Sequence, residues 1–116
     1  MTIIKSTIGA AIIAVLSFAA PAQAAAERPV ADFSTCKKPD YPAASLAAKH
    51  QGTVALGFLV DATGSVLEAK VNKSSGYEPL DNAARDAIKL CKFTPAQEDG
   101  KAVQAWANVR YVWVAK

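Results

Sequence analysis

Val54, Leu56, Phe58 and Val60 recur at every second position of the stretch Thr53 to Asp61. That period puts all four on one face of a half-buried strand. Asp61-Ala62-Thr63-Gly64 then breaks the pattern, with a glycine placed for the left-handed position of a tight reversal. Beyond it Leu67, Ala69 and Val71 alternate with Glu68, Lys70 and Asn72, the first set expected inward and the second outward. Two alternating runs joined by a short turn make a hairpin, and a hairpin with one apolar face needs a covering layer.

The flanking segments supply it. Pro42 opens a short Ala-rich helix expected to end near His50, with Gly52 as its stop. After Ser74-Ser75-Gly76, Pro79 opens a second helix, in which Leu80, Ala83, Ala84, Ala87, Ile88 and Cys91 share a face. Asp81 lies in its first turn and Lys89 and Lys92 at its end, matching the helix macrodipole, and Asp81 is spaced to pair with Arg85. Phe93-Thr94-Pro95-Ala96 stops the helix and Glu98 to Lys101 turns the chain. The last strand, Val103 to Val114, places Val103, Ala105, Ala107, Val109, Tyr111 and Trp113 on one side. The expected architecture is a two-layer α+β domain: a three-stranded antiparallel sheet with two helices on one face. The other face carries Val66, Glu68, Lys70, Trp106, Asn108, Arg110 and Val112, and an aromatic as large as Trp106 on an open face marks a contact surface.

The first 24 residues read as a secretory signal peptide: a lone Lys5, an apolar run from Ile8 to Ala20, and Ala22-Gln23-Ala24 as the cleavage site. The apolar run is short for a spanning helix, which needs about 20 apolar residues, although an uncleaved inner-membrane anchor is the alternative. The rest divides into an N-terminal lead over residues 25–40 and one small domain over 41–116, expected to be exported. Without Lys5 the formal net charge falls from +3 to +2, and the basic residues are scattered rather than interleaved with aromatics, so no nucleic-acid partner is expected. Cys36 and Cys91 are the only cysteines. An even pair in an oxidising compartment reads as a disulfide, one that would close a long loop.

The ordered motifs carry a further reading. Tyr41-Pro42 precedes the first helix, and Gly52-Thr53-Val54 leads into the first strand. Val60-Asp61 and Gly64 form the hairpin turn, and Ser74 to Gly76 is followed by Leu80 to Ala84. Phe93 to Ala96 follows the second helix. In this order they resemble the TonB C-terminal domain family, whose shape is shared with the TolA C-terminal domain. The resemblance implies that the last strand is an open edge accepting an extended segment of an outer-membrane transporter by strand addition. Here that edge runs along Gln104 to Val112, with Trp106, Asn108, Arg110 and Val112 as partner-binding residues and Arg110 placed to meet an acidic residue. Family transducers carry a membrane helix and a long Pro-rich spacer ahead of this domain. A stand-alone exported domain lacking both is expected here, either binding such segments or serving as an envelope assembly subunit that dimerises through its edge or open face.

Catalysis is not expected. His50 is the single histidine, at the end of an Ala-rich helix, and no serine sits in a nucleophile elbow. No Gly-rich loop cradles a phosphate. Two thiolates and one imidazole do not complete a zinc set, and Asp61, Thr63, Ser65 and Glu68 lack the glycine and distal glutamate placement of a calcium loop. Neither a metal nor a cofactor is expected.

Overall fold

A computed structural model describes residues 27–116, so the expected signal peptide over 1–24 lies outside the described residues. In chain order the first elements are β1 (Val30–Asp32), a 3-10 turn (Phe33–Thr35), α1 (Ala43–Ala47), β2 (Gly52–Val60) and β3 (Val66–Lys73). They are followed by α2 (Glu78–Ile88), β4 (Lys92–Thr94), β5 (Ala96–Glu98), β6 (Lys101–Val103) and β7 (Ala105–Trp113). β2 lies at the centre of a three-stranded antiparallel sheet of order β3-β2-β7, while β1 pairs with β4 and β5 with β6.

The period-two reading of β2 holds: Val54, Leu56, Phe58 and Val60 are fully buried. They form the core with Leu80, Ala84 and Ile88 of α2 and with Phe93, Ala107 and Trp113. Each such large side chain contributes about 1.5–3 kcal/mol on burial. β3 departs from the expected alternation at its start. Leu59 pairs with Glu68 but Val60 with Val66, which leaves Leu67 as the extra residue of a bulge. Val66, opposite a core residue, therefore packs inward, and Leu67 is 56% exposed, the reverse of the expected assignment. A single inserted residue swaps faces because the strand period is two.

Gly64 closes the hairpin turn at φ +89°, a region a side chain disfavours. It is also pressed against β4: a Cβ there would collide with the carbonyl oxygen of Phe93, whose N–H donates to the Gly64 carbonyl at 3.0 Å. Asp61 organises the same turn, its Oδ1 accepting from the backbone N–H groups of Thr63 at 2.8 Å and Ser65 at 3.0 Å. The hydroxyl of Thr63, foremost, and these N–H groups hold the Asp61 carboxyl below its ordinary pKa.

α2 buries Leu80, Ala84 and Ile88, and Cys91 follows on the same side. Asp81 does not pair with Arg85. It is only 5% exposed, and it accepts from Ser75 N at 2.8 Å, Ser75 Oγ at 2.6 Å and Ser74 Oγ. Burial pushes its carboxyl up, but these three donors outweigh that and its pKa lies below the ordinary value. Arg85 turns to the adjacent Asp86 instead, Nε to Oδ1 at 3.1 Å. The Ser-Ser-Gly…Leu-Asp motif thus fastens the β3–α2 loop to the first helical turn. Lys92, placed by the sequence at the helix end, lies in β4.

The first helix is shorter than expected, and Pro42 is its N-cap. Lys49 takes a left-handed φ of 57°, its N–H donating to Leu46 O at 3.0 Å while His50 N donates to Ser45 O at 2.9 Å. That pair of bonds is a Schellman ending, here without the usual glycine. Only Ser45 of α1 is buried, so α1 adds little to the core. The rest of the covering layer comes from the lead, where Ala31 and Cys36, with the following Tyr41, pack against the core. Lys92 N donates to Thr35 Oγ1 at 2.8 Å, and a disulfide joins Cys36 to Cys91 across a Cα separation of 4.7 Å. Tyr41 packs its ring edge-on to Trp113 at 4.8 Å and donates its hydroxyl to the His50 carbonyl, a physical role for the Tyr-Pro motif.

The last strand starts later than expected. Val103 belongs to β6, and Gln104 separates it from β7. Asp99 and Gly100, both at positive φ (52° and 76°), make the two-residue turn of the β5–β6 hairpin.

Candidate functional site

β7 pairs with β2 in one unshifted register of nine residues, from Gly52↔Trp113 to Val60↔Ala105. Ala107 and Trp113 are buried on the core side and Ala105, Val109 and Tyr111 are half-buried. Trp106, Asn108, Arg110 and Val112 all project from the opposite face, in the row the alternation implies. At about 3.3 Å per residue they span about 20 Å of strand. Trp106 is 39% exposed and Val112 59%, so two large apolar groups stand open along this strand.

The two sheet edges differ in kind. β3 carries two register shifts, at Ala55/Leu56 and Leu59/Val60, and its outer residues include Glu68, Lys70 and Lys73. Bulges and charges are the devices that keep an edge from recruiting another strand. β7 has no shift, and Arg110 is its one charged residue. Among the described residues no strand pairs with its outer side, and no backbone hydrogen bond joins the lead to it. β7 therefore lacks the bulges and most of the charges that mark β3.

Lys70, expected simply to point outward, reaches across the central strand and sets its Nζ 4.3 Å from the centre of the Trp106 ring. It passes over Gly57, where a Cβ would come within 3.2 Å of its Cε. The contact fixes one face of Trp106 and is worth about 0.5–1 kcal/mol at an exposed position. Arg110 faces Ala55 across the sheet and takes part in no ion pair among the described residues.

The lead supplies a wall that sequence reasoning missed. Three surface cavities of about 400 to 540 Å³ run along β7, each lined jointly by β7 and by residues ahead of α1. One holds Arg28, Pro29, Trp106 and Asn108, the next Phe33, Cys36, Arg110 and Tyr111, the third Tyr41, Val112 and Trp113. Cys36 was the one signal in the sequence that this segment is held to the domain. No group of three or more potential metal-ligating side chains gathers among the described residues. Nor is any described helix long and apolar enough to cross a membrane.

Residues 37–114 match the family described as Gram-negative bacterial TonB protein C-terminal. The chain belongs to this family. The TonB family is a non-enzymatic one. It is 45% identical over 71 residues to protein tonB2 of Pseudomonas aeruginosa, covering 61% of this chain and 26% of that protein. To protein TonB of Haemophilus influenzae it is 48% identical over 60 residues, covering 52% of this chain and 22% of that one. It thus spans about a quarter of the length of these curated relatives. Its fold is that of the Pseudomonas aeruginosa TonB C-terminal domain solved by NMR, with a TM-score of 0.56 and 24% identity over 67% of this chain and 79% of that one. The Helicobacter pylori domain superposes with a TM-score of 0.51 at 23% identity, covering 67% and 70%. The α+β fold with a three-stranded antiparallel sheet is shared with both.

Proposed function

We propose that this TonB-type domain works in the periplasm in TonB-dependent transport, binding an extended segment of an outer-membrane transporter by adding it to β7. The observation that carries the reading is the contrast between edges: an unshifted nine-residue β7 against a bulged, charged β3. Backbone groups of the free edge would supply affinity, while Trp106, Asn108, Arg110 and Val112 contact alternate side chains of the partner. Arg110, in no ion pair among the described residues, is placed to meet a carboxylate. An oxidising compartment suits the Cys36–Cys91 bridge.

The test is in-cell photocrosslinking from a photoreactive residue at Val112, with the captured protein identified by mass spectrometry. Capture of the periplasmic segment of an outer-membrane transporter, lost on Arg110→Glu, supports the reading. Capture of a second copy of this chain alone overturns it and makes the domain an assembly subunit that pairs through the same edge.

A further inference from the structure

The middle of the three cavities along β7 differs from its neighbours in being mostly apolar. Phe33, Cys36, Lys38, Pro39, Arg110 and Tyr111 line its roughly 410 Å³. Arg110 and Tyr111 are consecutive in the strand and project to opposite faces, so a cavity touching both lies across the free edge itself. β2 occupies the other edge of β7 along its whole length, which leaves only the outer side for this cavity. Phe33, 53% exposed, supplies an aromatic wall of this cavity. Burial pushes the Tyr111 phenol up, so it presents an uncharged ring and hydroxyl. Lys38 and Arg110 bring two cations to the cavity, neither of them ion-paired among the described residues.

We propose that this cavity is a side-chain subsite that takes one apolar residue of an extended peptide, with an acidic residue next to it in that peptide. The inference rests on the strand-addition reading. In an added strand adjacent side chains point to opposite faces. A residue directed to the core side of the sheet enters among Phe33, Cys36 and Tyr111, and its neighbour, directed to the outer face, meets Arg110. Lys38 adds positive potential to the same place. The disulfide fixes the Cys36 wall before any peptide arrives, so ordering the lead is not a cost of binding. Specificity is thereby shared between β7 and a segment some 75 residues away in sequence, the distance from Cys36 to Arg110.

The experiment uses the purified, oxidised protein and a library of biotinylated octapeptides on a Thr/Val-rich frame, randomised at two adjacent positions. The retained pool is sequenced. The wild-type protein is expected to enrich an aliphatic or aromatic residue next to Asp or Glu by about tenfold, the factor that partial burial of one apolar side chain supplies. Phe33→Ala removes the apolar preference and keeps the acidic one. Arg110→Glu keeps the apolar preference and turns the acidic one toward Lys and Arg. Both residues are on the surface, and unchanged melting curves confirm that both variants fold. Retention without a preference at the pair, or a preference that these variants do not move, overturns the subsite and leaves strand addition standing. Retention of no peptide at all overturns strand addition, and the subsite with it.

Discussion

Replacing Asp81 separates a carboxylate that holds the fold from one that merely decorates a helix. Its Oδ1 takes two hydrogen bonds from Ser75, at 2.8 Å from N and 2.6 Å from Oγ, and its Oδ2 takes one from Ser74 Oγ. Hydrogen bonds to a charged group are worth about 1.5–3 kcal/mol each, but three donors on one carboxylate share their effect, and the serine hydroxyls can turn to water. Asp81→Ala should therefore cost about 3 kcal/mol, with the Ser75 N–H left without its acceptor. Asp81→Asn keeps an acceptor for Ser75 and loses the charge, and should cost about 1 kcal/mol. For a domain of this size 1 kcal/mol corresponds to roughly 4–8 °C in Tm, so the alanine variant should melt about 12–24 °C lower. The pH dependence follows from the sign of the shift. Since the folded-state pKa of Asp81 lies below its unfolded value, its contribution is complete above about pH 4–5 and is lost as pH falls through the folded value. Urea unfolding of the oxidised proteins between pH 7 and pH 2.5 measures this. Asp32, Asp61 and Asp86 are likewise held below the ordinary value, but they remain in both proteins and cancel when the wild-type and Asp81→Asn curves are subtracted. A cost below about 1 kcal/mol for Asp81→Ala, or identical acid limbs for wild type and Asp81→Asn, would refute the argument.

Three further outcomes are expected. Replacing both cysteines by alanine should lower stability by about 4 kcal/mol in the chain-entropy account for the 55-residue separation, measured as the shift in urea midpoint against the oxidised protein. Lys49→Gly should raise stability by about 1 kcal/mol, because Lys49 is exposed and holds the left-handed end of α1 at φ 57°; a calorimetric scan showing no gain would contradict the helix ending described. Gly64→Ala should cost about 3 kcal/mol, combining the φ of +89° with the collision against Phe93, and its urea midpoint should fall well below that of Gly76→Ala. At Gly76 φ is equally positive but the space is open, so strain alone is left.

The sheet was legible because its signal is local. Val54 to Val60 announce their face by period, and Ala107 to Trp113 do the same, so the outward row Trp106, Asn108, Arg110 and Val112 could be named without coordinates. The assignment failed where one residue was inserted: nothing in the run Val66-Leu67-Glu68 tells which of the two apolar residues becomes the bulge, and that choice depends on Val60 across the ladder. The i,i+4 spacing of Asp81 and Arg85 is visible in a sequence, while a backbone N–H offered to Asp81 by the preceding loop is not. Asp99-Gly100 did carry the sequence signature of a two-residue hairpin, but the strands on either side have only three residues each, too few for a period to show. The lead escaped notice for the opposite reason. It joins the fold through a disulfide, the short β1–β4 ladder and side-chain packing, all of them long-range, and none of these leaves a repeat.

The bond between Cys36 and Cys91 closes a covalent ring, and the chain order decides what lies within it. α1, β2, β3 and α2 are inside; β7 is outside, tethered to the ring by β4, β5 and β6. The entropy that the bridge removes from the unfolded chain therefore favours the hairpin and its helix, whereas β7 joins β2 as a free tail would, held by its own ladder and by Ala107 and Trp113. Two levels of opening follow in the oxidised protein: detachment of the tail from an intact ring, and dissolution of the ring's contents at higher cost. Amide exchange should sort along that boundary, with β7 protected less than β2 and β3 outside their shared ladder. The strand that presents the edge is thus also the strand of the sheet that the molecule holds least firmly by covalent means.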